Sequence, residues 1–166
     1  MLVSLDAKFT NYVSPSLISI ALVGDDGCEF YAESSDYPLD ECSAFVKGEI
    51  LPLLGRVDGA LSNPSQLASS LHFWFSELSE PASLIFNSSC SWKLLVDALL
   101  CDGLKGLPPM LEGQQFISSV LEIDPVFYRA KMAAYTPSRP LFHALADARA
   151  LLAGYQAWFA SCEDCS

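Results

Sequence analysis

The tetrapeptide Gly24-Asp25-Asp26-Gly27 stands between two apolar runs, residues 16–23 and 28–33, and it leaves a chain of this kind few ways to fold. Glycine enters left-handed backbone without penalty and aspartate hydrogen-bonds its own main chain, so this composition suits a tight turn. Two apolar runs joined by so short a connection pair antiparallel as a hairpin. Residues 2–9, just ahead of them, read as a further strand, which predicts a three-stranded antiparallel meander at the start of the chain. Side chains alternate along a strand, so Asp6 and Lys8 project to one face of this first strand and Ala7 and Phe9 to the other.

Beyond the meander the pattern alternates. Asp40 and Glu41 open a helical stretch through Phe45, Val46 and Ile50 that Pro52 limits. Asn63-Pro64 is a helix start, with asparagine as the cap and proline in the first turn, and Leu67, Leu71, Trp74, Phe75 and Leu78 follow at helical spacing. His72 lies to the side of that stripe and is assigned no chemistry. Residues 81–86 are a short apolar run of the kind a buried parallel strand shows, and a helix follows from about Ser91 to Cys101 on Leu94, Leu95, Ala98 and Leu99. Residues 116–121 read as a fifth strand. Asp124-Pro125 then starts a helix through Phe127, Tyr128, Ala130, Met132 and Tyr135, which the prolines of residues 136–140 end. This order predicts an α/β protein with a mixed five-stranded sheet flanked by helices. No repeat or linker divides it, which predicts one domain over residues 1–161 and a short tail over 162–166.

The last long pattern runs over residues 141–159. Leu141, Leu145, Ala148, Leu152, Tyr155 and Phe159 recur at steps of three and four and predict one helix with a core-facing stripe. His143 and Asp147 stand four apart, one turn from each other on the same side. An ordinary helical His/Asp pair accounts for this spacing; so does a base and an acid at the edge of a buried face, turned toward a second acidic element.

Composition bounds the function. Half of the 166 residues are hydrophobic, ample for one core, and the formal charge of −11 argues against the broad basic groove of proteins that neutralise many phosphates. No apolar stretch is long enough to span a bilayer and the start of the sequence does not read as a secretory signal, so the expectation is a cytoplasmic protein without a membrane partner. The six cysteines are scattered and read as reduced thiols. Only Cys162 and Cys165 have a ligand-like spacing, in a tail beyond the predicted helix, where a zinc would need two further ligands.

The residues at the two ends carry a resemblance. Asp6-x-x-Phe9 closing the first strand, Leu17-Ile18-Ser19-Ile20, Phe30-Tyr31-Ala32, and His143-Ala144-Leu145-Ala146-Asp147-Ala148-Arg149 together resemble the DEDDh 3'-5' exonucleases, in particular the compact single-domain exoribonucleases related to ribonuclease T. The resemblance implies a ribonuclease-H-like fold, His143 as general base, and Asp6 and Asp147 as ligands of magnesium or manganese. In that chemistry carboxylates hold two ions about 4 Å apart, one activating water and the other stabilising the leaving oxygen, while a neutral histidine accepts the proton.

The sequence departs from the family pattern at two places. Lys8 stands where the resemblance implies a glutamate, a change of two charge units at a metal position. In residues 84–95, which resemble the family's middle segment, Ser88 and Ser91 occupy the positions of the expected carboxylate; Asp97, inside the predicted helix, and Asp102, past its end, are the nearest acids. Asp6, His143 and Asp147 remain, enough for one weakly held ion or for none. Lys8 projects on the face of Asp6, where its ammonium would pair with Asp6 and Asp147 and fill the metal position. Three functions follow as expectations. The first is an exonuclease-type pseudoenzyme acting by binding a protein or a nucleic-acid end; the second is an active exoribonuclease with an atypical site, acting on single-stranded RNA or DNA 3' ends. The third, more distant, is metal or redox work at Cys162 and Cys165. The family is commonly dimeric, and Trp74, Phe75, Tyr128, Tyr135, Trp158 and Phe159 are divided between core and a homodimer interface, with core favoured.

Overall fold

A computed structural model describes residues 1–103 and 106–163. The meander forms as the turn chemistry dictates: β1 (Leu2–Phe9) pairs antiparallel with β2 (Leu17–Gly24), which pairs antiparallel with β3 (Glu29–Ser34). Both aspartates of the turn accept backbone hydrogen bonds, Asp25 Oδ2 from Leu2 N at 3.1 Å and Asp26 Oδ1 from Cys28 N at 2.9 Å, and Gly27 sits at φ 88°. β4 (Leu61–Ser62) adds in parallel to β3. β5 (Ala82–Phe86) runs parallel to β1 on its other side, and β6 (Leu111–Phe116) runs parallel to β5. The sheet order is β4-β3-β2-β1-β5-β6.

Among the described residues five α-helices complete the fold: α1 (Pro64–Ser76), α2 (Ser89–Leu99), α3 (Ser119–Glu122), α4 (Pro125–Ala133) and α5 (Ala144–Glu163). The expected start at Asn63-Pro64 is a full capping box, in which Asn63 accepts from Gln66 N at 2.9 Å and Gln66 accepts from Asn63 N at 3.0 Å. Asp124 caps α4 in the same spirit, accepting from Val126 N and Phe127 N. The 40–53 region is a series of short 3-10 and π turns, including Val46–Ile50, and not one regular helix.

Alternation along β1 divides the molecule into layers. Val3, Leu5 and Ala7 face α1 and α2, meeting Leu67, Leu71, Phe75, Leu94, Leu95 and Leu99 in the larger core. The even positions face α5, where Ser4 Oγ donates to Ala148 O at 2.7 Å. There Ile85, Ala21 and Val23 pack on Phe127, Ala148, Leu151 and Leu152. Phe75 is fully buried, and truncation of such a side chain to alanine costs about 3–5 kcal/mol. Helices α4 and α5 approach closely because residue 154 is glycine: a Cβ there would lie 2.9 Å from the buried ring of Phe127.

The structure corrects the sequence reading in several places. The sheet has six strands and not five, because β4 is a two-residue parallel pairing too short to leave a pattern. The strand expected at 116–121 lies upstream as β6; it is a sheet edge with mostly exposed side chains, so it carries no apolar alternation, while Ser118 caps α3 over the apolar residues that had suggested a strand. The last helix starts at Ala144 and not Leu141, because Phe142 takes a left-handed backbone with φ 71°. Consequently Leu141 is exposed instead of packing on the core, and Phe159 is exposed at the far end. Of the six aromatic residues weighed between core and interface, Phe75 is buried and Trp74, Tyr135 and Trp158 are half-buried, whereas Tyr128 and Phe159 are exposed. The helix continues through Cys162, which therefore belongs to α5 and not to a tail; Cys165 lies outside the described residues. Among the described residues no helix is long and apolar enough to cross a membrane.

Candidate functional site

A cleft of about 830 Å3 opens at the carboxyl ends of β1 and β5. β1 and β5 are adjacent and parallel, so the residues at their carboxyl ends come together on one edge of the sheet. Asp6 and Lys8 reach its floor from β1, Asn87 and Ser88 from the end of β5, and Asp147 from the first turn of α5.

These floor residues form one ionic cluster. Lys8 Nζ lies 2.5 Å from Asp147 Oδ2 and 2.8 Å from Asp6 Oδ2, with all three side chains largely buried. The contact with Asp147 is a hydrogen bond, whereas that with Asp6 is an ion pair without hydrogen-bond geometry. Burial pushes the Asp6 carboxyl up to about 6, with Asp147 adding to the rise and Lys8 opposing it. The two carboxylates overcome the desolvation of Lys8 and raise its ammonium above the usual lysine range, so it stays charged at any physiological pH. Asp147 also accepts from Phe142 N at 3.3 Å, which ties the left-handed residue to the first turn of α5. Tyr135 stands beside this cluster, its phenol raised first by burial and then by Asp147.

The two serines differ. Ser91 is fully buried and its Oγ accepts from Ala7 N at 3.3 Å, a structural tie between α2 and β1. Ser88 lines the cleft at the start of α2, and its hydroxyl makes no capping bond. Asp97 pairs with Lys93 at 2.7 Å on the outside of α2, away from the cleft, and the side chain of Asp102 lies outside the described residues.

His143 is not brought into the cleft. Phe142 lines it, and His143, the next residue, is buried at 6% exposure with its ring stacked on Tyr31 at 4.8 Å between centroids. It holds the N-cap place of α5, its carbonyl accepting from Asp147 N at 2.9 Å. Nε2 is buried without a hydrogen-bond partner among the described residues, and burial holds the imidazole below its ordinary range despite the nearby Glu33 carboxylate. Glu33 itself accepts from Tyr31 and from Gly55 N.

A second polar group in the cleft escaped the sequence reading. Glu122 Oε1 accepts from Asn87 Nδ2 at 2.9 Å and pairs with Lys131 Nζ. Glu122 falls just after the segment misread as a strand, so nothing local linked it to Lys131 or to the end of β5. The floor residues do not fit a pair of metal ions: an ammonium lies between the two carboxylates, Ser88 lines the cleft without a charge, and no group of three potential histidine, cysteine or carboxylate ligands occurs among the described residues.

Geometry thus defines an α/β protein with a six-stranded mixed sheet and a lysine-bridged carboxylate pair in a cleft at its strand ends. Comparison of the sequence with protein-family models gives no match, and a search of curated proteins gives none.

Proposed function

We propose that this chain has the ribonuclease-H-like fold of the DEDDh exonucleases with an eroded two-metal site, and that it acts by binding a partner, a protein or a nucleic-acid end, without hydrolysing it. The single observation that carries this reading is the position of Lys8, whose ammonium supplies between Asp6 and Asp147 the positive charge that a metal ion would otherwise bring. An antiparallel meander, a parallel β5 beside β1, and a final helix that delivers Asp147 to Asp6 support the resemblance seen in the sequence. The departures support the loss of chemistry. Without the middle carboxylate there is no second ligand set, and a histidine stacked on Tyr31 is not placed to take a proton from water in the cleft.

The test is trimming of a short 5'-labelled single-stranded RNA with magnesium or manganese. Wild-type protein is expected to leave the substrate intact. Robust, metal-dependent shortening from the 3' end that disappears in His143→Ala overturns the reading and restores an active exoribonuclease using Asp6, His143 and Asp147.

A further inference from the structure

The cleft has two zones of different chemistry. Its floor is ionic, and its lining carries three carboxylates, Asp6, Glu122 and Asp147, against two ammonium groups, Lys8 and Lys131. Each lysine is already engaged, Lys131 with Glu122 and Lys8 with both aspartates, so one negative charge is left over. That residual charge is shared by Asp6 and Asp147, which face each other across the single ammonium of Lys8 at 2.8 and 2.5 Å. The mouth is apolar: Tyr12, Phe45, Ile123, Tyr128, Met132 and Leu141 line the cleft, and each exposes more than two-fifths of its surface. Phe45 is braced edge-on against Phe142 and Tyr12 against Phe9, each at 5.0 Å between centroids, so these rings are held at the mouth.

An exposed apolar rim around a polar floor marks an interaction site more often than chance exposure. Its size falls within the range of sites that enclose a small ligand or a few side chains. Charge then selects among occupants. A phosphodiester would meet a floor with net negative charge and two lysines already neutralised, on a chain of charge −11. A second copy would bring another −11. A cation offsets the net negative charge of the lining and is attracted to the faces of the surrounding aromatic rings.

We propose that the cleft binds a short segment of a partner protein that carries one arginine or lysine among apolar side chains, the cation directed at Asp6 and Asp147 and its neighbours lying on the aromatic rim. This inference rests on the non-catalytic reading above and names the kind of partner for it. It also gives the erosion of the site a use: the lysine bridge holds the two aspartates together while leaving them one charge short of neutrality.

The experiment is fluorescence anisotropy with the full chain in a chelator-containing buffer, using a labelled peptide Ser-Gly-Leu-Phe-Arg-Leu-Phe-Gly-Ser, the same peptide with norleucine or glutamate in place of arginine, and a ten-nucleotide single-stranded RNA. The arginine peptide is expected to bind at least about tenfold more tightly than the norleucine peptide, and the glutamate peptide and RNA more weakly still. Asp6→Asn should reduce the arginine peptide to the level of the norleucine peptide. Phe45→Ala and Tyr128→Ala, at exposed positions where folding is not at stake, should weaken both peptides alike. Equal binding of the glutamate peptide, displacement of the arginine peptide by RNA at similar concentration, or no peptide binding overturns the proposal. Trimming activity would overturn the non-catalytic reading by a separate measurement. A chain that neither trims RNA nor binds the arginine peptide leaves that reading standing and removes this inference alone.

Discussion

Lys8 and Asp147 meet at 2.5 Å across 139 positions of chain, and with Asp6 at 2.8 Å one ammonium joins the end of the first strand to the first turn of the last helix. Lys8→Ala leaves two carboxylates facing each other in a largely buried site, which is expected to cost about 3 kcal/mol at neutral pH. The loss should be smaller at pH 5, because repulsion raises the folded-state pKa of at least one aspartate above its unfolded value. A group shifted in that direction contributes its stability below the unfolded pKa and loses it as pH rises through the folded pKa. Urea unfolding at pH 5.0 and 7.5 reads the difference; identical losses at both values would make Lys8 a packing residue without an electrostatic part. Magnesium or manganese should restore part of the loss if it binds the folded mutant.

Asp6 gives the wild type a pH signature of its own. Its carboxyl titrates near 6 in the folded protein against about 3.8 unfolded, chiefly through burial. The associated stability is fully present below about 3.8 and is lost as pH rises to about 6. Asp6→Asn removes this term. The stability of Asp6→Asn relative to wild type is therefore expected to rise across that interval and to level off above it, with the mutant at least as stable as wild type at pH 7. A difference curve that is flat from pH 4 to 7 would show that Asp6 titrates normally.

Features decided by neighbours in sequence were readable in advance, and features decided by distant packing were not. The Gly24 to Gly27 turn, the Asn63 and Asp124 caps, and the shared face of Asp6 and Lys8 depend on residues within a few positions of one another. The lysine bridge was legible for that reason, given a last helix that carries Asp147. His143 was misplaced because helical spacing continues smoothly through residues 141–143, while the backbone leaves the helix at Phe142 for a reason supplied from elsewhere: Phe142 packs beside Val46, Ile50 and Phe45. Glu122 and Lys131 form a pair only because α3 and α4 fold back over the end of β5. β6 is an exposed edge strand whose Gln114 and Gln115 leave no apolar signal.

Phe142 carries a measurable strain. Left-handed backbone costs a residue with a side chain about 1–2 kcal/mol, and glycine is free of that cost. Phe142→Ala should lose the ring contact with Phe45 and keep the strain, whereas Phe142→Gly should lose the contact and relieve the strain. The glycine variant is expected to be the more stable of the two by about 1 kcal/mol, an inversion of the usual order. Paired thermal melts decide it, and alanine melting at or above glycine would mean that the loop relaxes to another backbone in solution.

The eroded-site reading predicts what would rebuild a metal site. Lys8→Glu with Ser88→Asp removes the ammonium and places carboxylates at two cleft positions; Ser88 is the better choice because Ser91 is buried and already bonded to Ala7 N. Calorimetry should detect manganese binding to the double mutant and none to wild type. A folded double mutant that takes up no manganese would separate these positions from any former metal centre.

The pairing of β1 with β5 has a consequence for how the chain is made. β1 and β2 are close in sequence and can associate as soon as residue 24 is clear, but the other side of β1 receives β5 only after residues 82–86 are synthesised, and its even-numbered face is closed by α5 later still. Until that helix arrives a nascent chain presents an uncovered face of β1 and a lysine paired at most with Asp6. Arrival of Asp147 completes both at once, so the last long helix acts as the closing step of assembly, and a polypeptide interrupted before residue 144 would retain an unpaired hydrophobic face of the kind that chaperones hold.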